Sequence, residues 1–234
     1  MQLFFNSELT QDKDHIQFSK EESRHIVKVL RKSVGDTLHI TNGKGDLFTS
    51  EIISSDIKNC QAKIVSFETQ PPRTYQLHLA VAPTKMNDRY EWFLEKATEI
   101  GIDSITPIIC DNSERRVIKA DRYEKILLSA MKQSLNCYLP KLHDCISFKD
   151  FINQKHDGRL FIAHCEDTNK ASLKHKLNTN ETITILIGPE GDFSTNEIEL
   201  AIQSGFIPVS LGLTRLRTET AAVVACHSTA FVNE

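Results

Sequence analysis

The sequence predicts an α/β protein in two unequal domains: a small β-rich domain, then a parallel sheet covered by helices on both faces. Three observations predict it. From Tyr75 onward, apolar strand-like runs alternate with helix-like runs, the pattern that a parallel sheet with crossover helices requires. The first 67 residues instead hold short runs with partial alternation and many β-branched residues. Between them, Glu68–Thr74 (ETQPPRT) combines a Pro-Pro pair with polar residues, which disfavours both helix and central strand and makes a short, stiff connector. The division expected is therefore residues 1–70 and 71–234.

In chain order, Ser19-Lys20-Glu21-Glu22 reads as a capping box, in which the Ser19 hydroxyl and the Glu22 carboxylate satisfy exposed amides at a helix start. Ile26, Val27 and Leu30 form the apolar stripe of that helix. Three strands follow Gly35: DTLHITN, DLFTSEIISS and CQAKIVSF, the first two joined by the turn Asn42-Gly43-Lys44-Gly45. Beyond the connector come a strand YQLHLAVAP, a helix from about Arg89 to Ile100, a strand SITPIIC and a helix from about Asp121 to Cys137. The strands RLFIAHC and TITILIG come next, then a helix from about Thr195 to Ser204, a strand FIPVSLG and a last helix from about Thr218 to Phe231.

At 234 residues, with 40% hydrophobic and 25% charged residues, the chain is an ordinary folded protein, not a disordered one. Its start, MQLFFNSELT, lacks a basic leader and a long apolar core, and no stretch reaches the ~20 apolar residues of a membrane helix. The six cysteines are scattered without CxxC or close Cys/His spacing, so no metal site is expected and a cytoplasmic location fits best. A net charge of -3 argues against a strongly basic nucleic-acid binder. Phosphate contacts need patches, however, and two exist. SRHIVKVLRK carries Arg24, Lys28, Arg31 and Lys32 with no acid between them, and SERRVIK brings Arg115, Arg116 and Lys119 together. A solvated helix face is the alternative for the first group.

Two loops carry the chemistry. TITILI runs into Gly188-Pro189-Glu190-Gly191-Asp192-Phe193 and then a second capping box, Ser194-Thr195-Asn196-Glu197. Glycines at the carboxyl end of a strand let backbone amides approach a ligand, and α/β sheets bind small molecules at that end. Alone, GPEG is equally a plain turn. The next strand ends in Gly212-Leu213-Thr214-Arg215-Leu216-Arg217-Thr218-Glu219. Thr218 reads as the helix N-cap, and Glu219 as a first-turn acid favoured by the helix dipole. Arg217 gains nothing at the positive end of that dipole, so it is expected to hold an anionic or carbonyl partner. Lys85, Asp88, Arg89 and Glu91 read as residues that cap and salt-bridge the helix beginning there.

IGPEGDFS, followed about two dozen residues later by LGLTRLRTETAA, resembles the paired loops of the knotted SPOUT methyltransferases, and most closely the RsmE family of 16S rRNA uracil-N3 methyltransferases. RHIVKVLRKSVGD, KMNDRYEWFLEKATEIGI, SERRVIK and KQSLNCYLPKL extend the likeness over most of the chain. The resemblance implies a trefoil-knotted sheet and a PUA-like RNA-binding β-barrel at the N-terminus. It implies a bent S-adenosylmethionine (S-adenosylhomocysteine after transfer) held by Leu186, Ile187, Gly188 and Gly191 of the first loop. Leu211, Gly212, Leu213, Leu216, Arg217 and Thr218 of the second loop would complete the grip, with His164 and Cys165 closing a third side. It also implies a homodimer and 16S rRNA as partner within the assembled 30S subunit. The family often has Gly-Arg where Leu135-Asn136 follow Gln133-Ser134 here.

On that reading Arg217 anchors a uracil carbonyl or an adjacent phosphate, and Glu219 or Glu190 accepts the N3 proton. Arg24, Lys28, Arg31, Lys32, Arg115 and Arg116 are the expected RNA contacts. Nucleotide-binding α/β proteins with GxGxxG or a Walker lysine are excluded, because YQLHLAVAP leads into TKMNDR. A knotted methyltransferase for another base or a ribose, and a non-catalytic RNA-binding or assembly factor, remain as alternatives.

Overall fold

The computed structural model describes residues 2–166 and 170–234. By Cα proximity the chain forms two compact units: Met1–Pro72 with Met131–Leu139, and Arg73–Ala130 with Pro140–Glu234.

The first unit runs β1 (Leu3–Phe5), β2 (His15–Gln17), α1 (Lys20–Arg24), β3 (Thr37–Thr41), β4 (Asp46–Ser54) and β5 (Gln61–Thr69). They make a five-stranded sheet of order β1-β3-β4-β5-β2, antiparallel except for the β1–β3 pair. Phe4, Ile16, Phe18, Ile26, Ile40, Phe48 and Ile52 form its core. The first helix departs from expectation in two ways. Ser19 Oγ accepts the Glu22 amide at 3.2 Å, but only half of the expected capping box forms. The helix also widens into a π-helical turn at His25–Val29, where Leu30 N bonds His25 O at 2.9 Å. The Asn42–Gly45 turn is built as read, and Gly45 (φ +106°) is required there, since a Cβ would sit 2.4 Å from the Tyr138 hydroxyl.

The second unit runs β6 (Gln76–Val81), α2 (Asn87–Ile100), β7 (Ser104–Ile109), α3 (Ala120–Gln133, its last turn in the first unit), β8 (Lys141–Leu142), β9 (Ile146–Ser147), α4 (Phe148–Ile152) and β10 (Arg159–Ala163). It continues through β11 (Ala171–Ser172), β12 (Thr182–Ile187), α5 (Thr195–Gln203), β13 (Ile207–Ser210) and α6 (Thr218–Asn233). The sheet order is β11-β13-β10-β12-β6-β7-β8, with β9 beside β7, and every pairing is parallel. β12 lies near the middle, buried from Ile183 to Ile187, which is why it reads as an almost continuous apolar run broken only by Thr184. Ala80, Ile108, Phe148, Phe151, Ile162, Leu186, Phe193, Ile198 and Phe206 pack as one cluster of its core.

β13 lies on the far side of β10, yet α6 packs on α2, β6 and β12. The chain therefore crosses back over β10 and β12 after β13, the crossing that the expected knot needs. At the far end of α6, the Asn180 amide donates to Asn233 Oδ1 at 2.8 Å. The α/β class expected from the sequence is the one found. Among the described residues no helix is long and apolar enough to cross a membrane, and no cluster of His, Cys, Asp or Glu has the arrangement of a metal site.

Candidate functional site

The carboxyl ends of β10, β12 and β13 open into two adjoining clefts of about 210 and 250 Å³, together within the ~300–1,000 Å³ of small-molecule sites. Ala163, Cys165, Arg215, Leu216 and Ala221 line both. The loop after β12 is pinned from beneath by Phe193, whose ring meets Phe148 at 5.5 Å. Its turn closes where the Asp192 amide donates to Pro189 O at 2.9 Å, with Asp192 at φ +65°, a conformation that Asp tolerates better than most residues. The Asp192 carboxylate then accepts the Cys165 amide at 2.6 Å, tying this loop to the end of β10.

Two bonds join this loop to the one after β13. Thr218 Oγ1 donates to Gly188 O at 3.0 Å, and Arg215 Nη2 donates to Glu190 O at 3.0 Å. The two loops picked out in the sequence thus fold against each other. The expected N-cap is displaced by one residue: Arg217 occupies it with no side-chain cap bond, and Thr218 begins α6. Freed from capping, the buried Thr218 hydroxyl serves the loop contact instead.

Of the residues expected around a cofactor, Ile187, Gly188, Leu211, Gly212, Leu213, Leu216, Arg217, Thr218 and His164 line the clefts. Leu186 and Gly191 do not. Leu186 lies in the core, and Gly191 turns toward Asn112, whose side-chain amide donates to its carbonyl at 3.2 Å. His164 is 7% exposed and neither ring nitrogen has a partner among the described residues. Burial, then the nearby Lys170 ammonium, lowers its pKa, against the smaller pull of Asp192 and Glu166.

The catalytic candidates differ in surroundings. Arg217 is exposed, with its guanidinium uncommitted among the described residues. Glu190 lines a cleft; its Oε1 accepts the Lys85 amide at 2.9 Å, and its Oε2 is buried without a partner among the described residues. Glu219 is 7% exposed, its Oε1 is 3.9 Å from Arg89 Nε, and its Oε2 is likewise unpartnered. Arg115 and Arg116 are spent partly on the fold: Arg115 donates to the carbonyls of Thr84 and Lys85 at 2.9 and 2.8 Å, and Arg116 to that of Asp111 at 3.0 Å. Arg24, Lys28 and Arg31 are exposed and Lys32 half-buried, all within the first unit.

Sequence reading passed over Arg215 and Asp192, which hold the loops together. The signal for Arg215 was the one used for Arg217, a cation ahead of a helix start. For Asp192 it was a turn-forming acid just after glycine.

The family model described as an RNA methyltransferase domain matches residues 71–230, and the one described as an RNA methyltransferase PUA domain matches residues 18–65. A ribosomal RNA small subunit methyltransferase E from Buchnera aphidicola subsp. Acyrthosiphon pisum is 33% identical over 92% of this chain and 87% of that one. Among solved structures, a probable rRNA methyltransferase from Porphyromonas gingivalis is 38% identical with a TM-score of 0.92, covering 100% of this chain and 98% of that one. A Legionella pneumophila protein solved with the cofactor SAM bound is 27% identical with a TM-score of 0.88, covering 99% and 97%.

Proposed function

Because the chain belongs to the ribosomal RNA small subunit methyltransferase E family, we propose that it methylates N3 of a uridine in 16S rRNA, using S-adenosylmethionine and acting as a homodimer on the assembled 30S subunit. The observation that carries this reading is the pair of glycine-bearing loops bonded through Thr218–Gly188 and Arg215–Glu190 over a cleft at the carboxyl edge of the sheet. We assign RNA binding to residues 1–70, through Arg24, Lys28, Arg31 and Lys32, and methyl transfer to residues 71–234.

The cleft fits the cofactor. Ala163, Val209, Leu211, Leu216 and Ala221 offer apolar surface for an adenine, and buried His164 offers two ring nitrogens without a partner among the described residues. Gly212 supports the fit differently: it has no positive φ and, among the described residues, nothing within 4 Å of where its Cβ would stand, so no described neighbour demands a glycine. A ligand seated close to the backbone does. Bound there by Ile187, Gly188, Leu211, Gly212, Leu213, Leu216, Thr218 and His164, S-adenosylmethionine supplies a methyl group activated on a sulfonium.

The chain's own work is to position the acceptor and move one proton. Uridine N3 is an imide nitrogen that becomes nucleophilic only as its proton leaves, and in a duplex it is paired, so the target must be single-stranded or flipped out. Arg217, uncommitted at the cleft rim, anchors the uracil carbonyl or its phosphate and stabilises the charge that develops on the base. Glu190 is better placed than Glu219 to take the proton, because its free Oε2 belongs to a residue lining the cleft. With both partners held in line, positioning supplies several kcal/mol of barrier reduction.

The test is transfer of tritiated methyl to small subunits, and to naked 16S rRNA, from cells lacking the enzyme, followed by nucleoside identification. Label in 3-methyluridine, stronger on subunits, is expected; label in a ribose or another base would move the assignment to that acceptor. No label together with no S-adenosylmethionine binding would overturn the reading. Arg217→Ala should lower turnover by about 100-fold or more while S-adenosylmethionine affinity stays nearly unchanged.

A further inference from the structure

The helix-start residues Lys85, Arg89 and Glu91 separate into two kinds. Lys85 is paired with Glu114 at 2.7 Å, and Glu91 with Arg122 at 2.5 Å. Arg89, in the first turn of α2, makes one side-chain ion pair among the described residues, the 3.9 Å approach to Glu219, and its side chain remains 37% exposed. Its other guanidinium donors are uncommitted among the described residues. Glu219 in turn is nearly fully buried with an unpartnered oxygen, an arrangement that is costly unless something else completes it. The first turn of α6 offsets part of that cost.

The place of this pair is specific. Glu219 follows Thr218 and stands two residues after Arg217, both of which line the cleft. The segment just before α2 also holds a residue that lines the cleft, the Lys85 amide donating to Glu190 Oε1 at 2.9 Å. A weakly held cation with a planar fork of donors therefore stands beside the site at the start of α6, where Arg217 is also free.

Resting on the methyltransferase reading above, we propose that Arg89 binds a phosphate of the acceptor strand at the methylation site, and that Glu219 is a positioning residue that holds Arg89 toward it. Arg89 and Arg217 then grip the flipped nucleotide from α2 and α6, which orients N3. The second oxygen of Glu219 is satisfied as the guanidinium closes onto it in the complex.

The test measures RNA binding and turnover for Arg89→Gln, Arg89→Lys and Glu219→Gln, with S-adenosylmethionine affinity as the control. Arg89→Gln should raise the KM for 16S rRNA or subunits about tenfold or more and leave S-adenosylmethionine affinity unchanged. The slope of log affinity against log salt should fall by about 0.7 to 1, the signature of one lost phosphate contact. Arg89→Lys should recover part of the affinity and all of the slope. Should Arg89→Gln fail to fold, the lysine variant decides: a KM raised by less than about tenfold at the wild-type slope agrees with the proposal, and an unchanged KM or a reduced slope opposes it. Glu219→Gln should raise KM while preserving the pH profile of turnover. Disappearance of one limb of that profile would make Glu219 the proton acceptor and overturn the proposal, as would an unchanged salt slope in Arg89→Gln. Failure of the wild-type protein to methylate any RNA would instead defeat the underlying methyltransferase reading.

Discussion

Thr218 illustrates how a single hydroxyl can carry a site. A helix start offers Thr an obvious task, capping, and the sequence invites that assignment. The structure gives the cap position to Arg217, whose side chain can only donate, so α6 begins without a side-chain cap and Thr218 Oγ1 reaches Gly188 O at 3.0 Å. Replacing this buried hydroxyl by a methyl of the same shape leaves the Gly188 carbonyl without its partner, at a cost of about 1–3 kcal/mol. Thr218→Val should therefore weaken S-adenosylmethionine binding by roughly tenfold in calorimetry, with Thr218→Ser close to wild type. Equal affinity in all three proteins would mean that the Arg215–Glu190 bond alone holds the loops. Arg217 stood out in the sequence because a cation at a helix start has no structural reward, and the fold leaves its guanidinium without a partner among the described residues. Thr218 was misread by one position because a hydroxyl there has two possible tasks, and only the fold chooses between them.

The two capping boxes show how far local pattern reaches at the level of elements. Both have Ser at the cap and Glu three residues on, yet only Ser194–Glu197 closes in both directions. The difference lies in what surrounds them. Glu197 is 6% exposed and also accepts the Asp111 amide at 3.0 Å, while Ser194 Oγ reaches Asp111 at 2.6 Å, so this box joins α5 to the end of β7. Burial raises the Glu197 pKa even as these amides oppose it. Ser194→Ala should cost about 1–2 kcal/mol and lower the melting temperature by roughly 2–8 °C, and Ser19→Ala markedly less. Equal losses in the two variants would show that the Asp111 link contributes nothing. Elements long enough to show a period were readable, from β6 to α6. The two- and three-residue strands β1, β2, β8, β9 and β11 and the five-residue α4 were not, because runs this short carry no periodic signal. The π-helical turn at His25–Val29 escaped for a related reason, since its apolar stripe resembles that of an ordinary helix.

At the scale of the whole molecule, the order of elements along the chain was visible but their order in the sheet was not, because β10 and β12 stand between β13 and β6, against which α6 packs. Residues 131–139 also belong with the first unit for reasons no pattern announces: Cys137 N and Tyr138 Oη donate to Gln70 at 2.9 and 2.7 Å. The same long-range packing gives the second unit a pH dependence. His78 on β6 bonds Thr106 Oγ1 at 2.9 Å, stacks on His143 at 5.3 Å and meets the Phe151 ring edge-on at 5.7 Å. Burial, then repulsion from His143 and His156, pushes its pKa down to about 4 from an ordinary 6.5. Between those values the unfolded chain holds a proton at this position that the folded protein refuses, so stability is intact above pH 6.5 and declines as the pH falls toward 4. The decline is at most about 1.4 kcal/mol per pH unit from this group, or up to about 3 kcal/mol in all. Urea unfolding at pH 7.5, 6 and 5 should show a shallower dependence for His78→Gln than for the wild type, even if the variant starts lower through loss of the Thr106 bond. Parallel curves for the two proteins across that range would show that the buried ring accepts its proton as freely as the unfolded chain does.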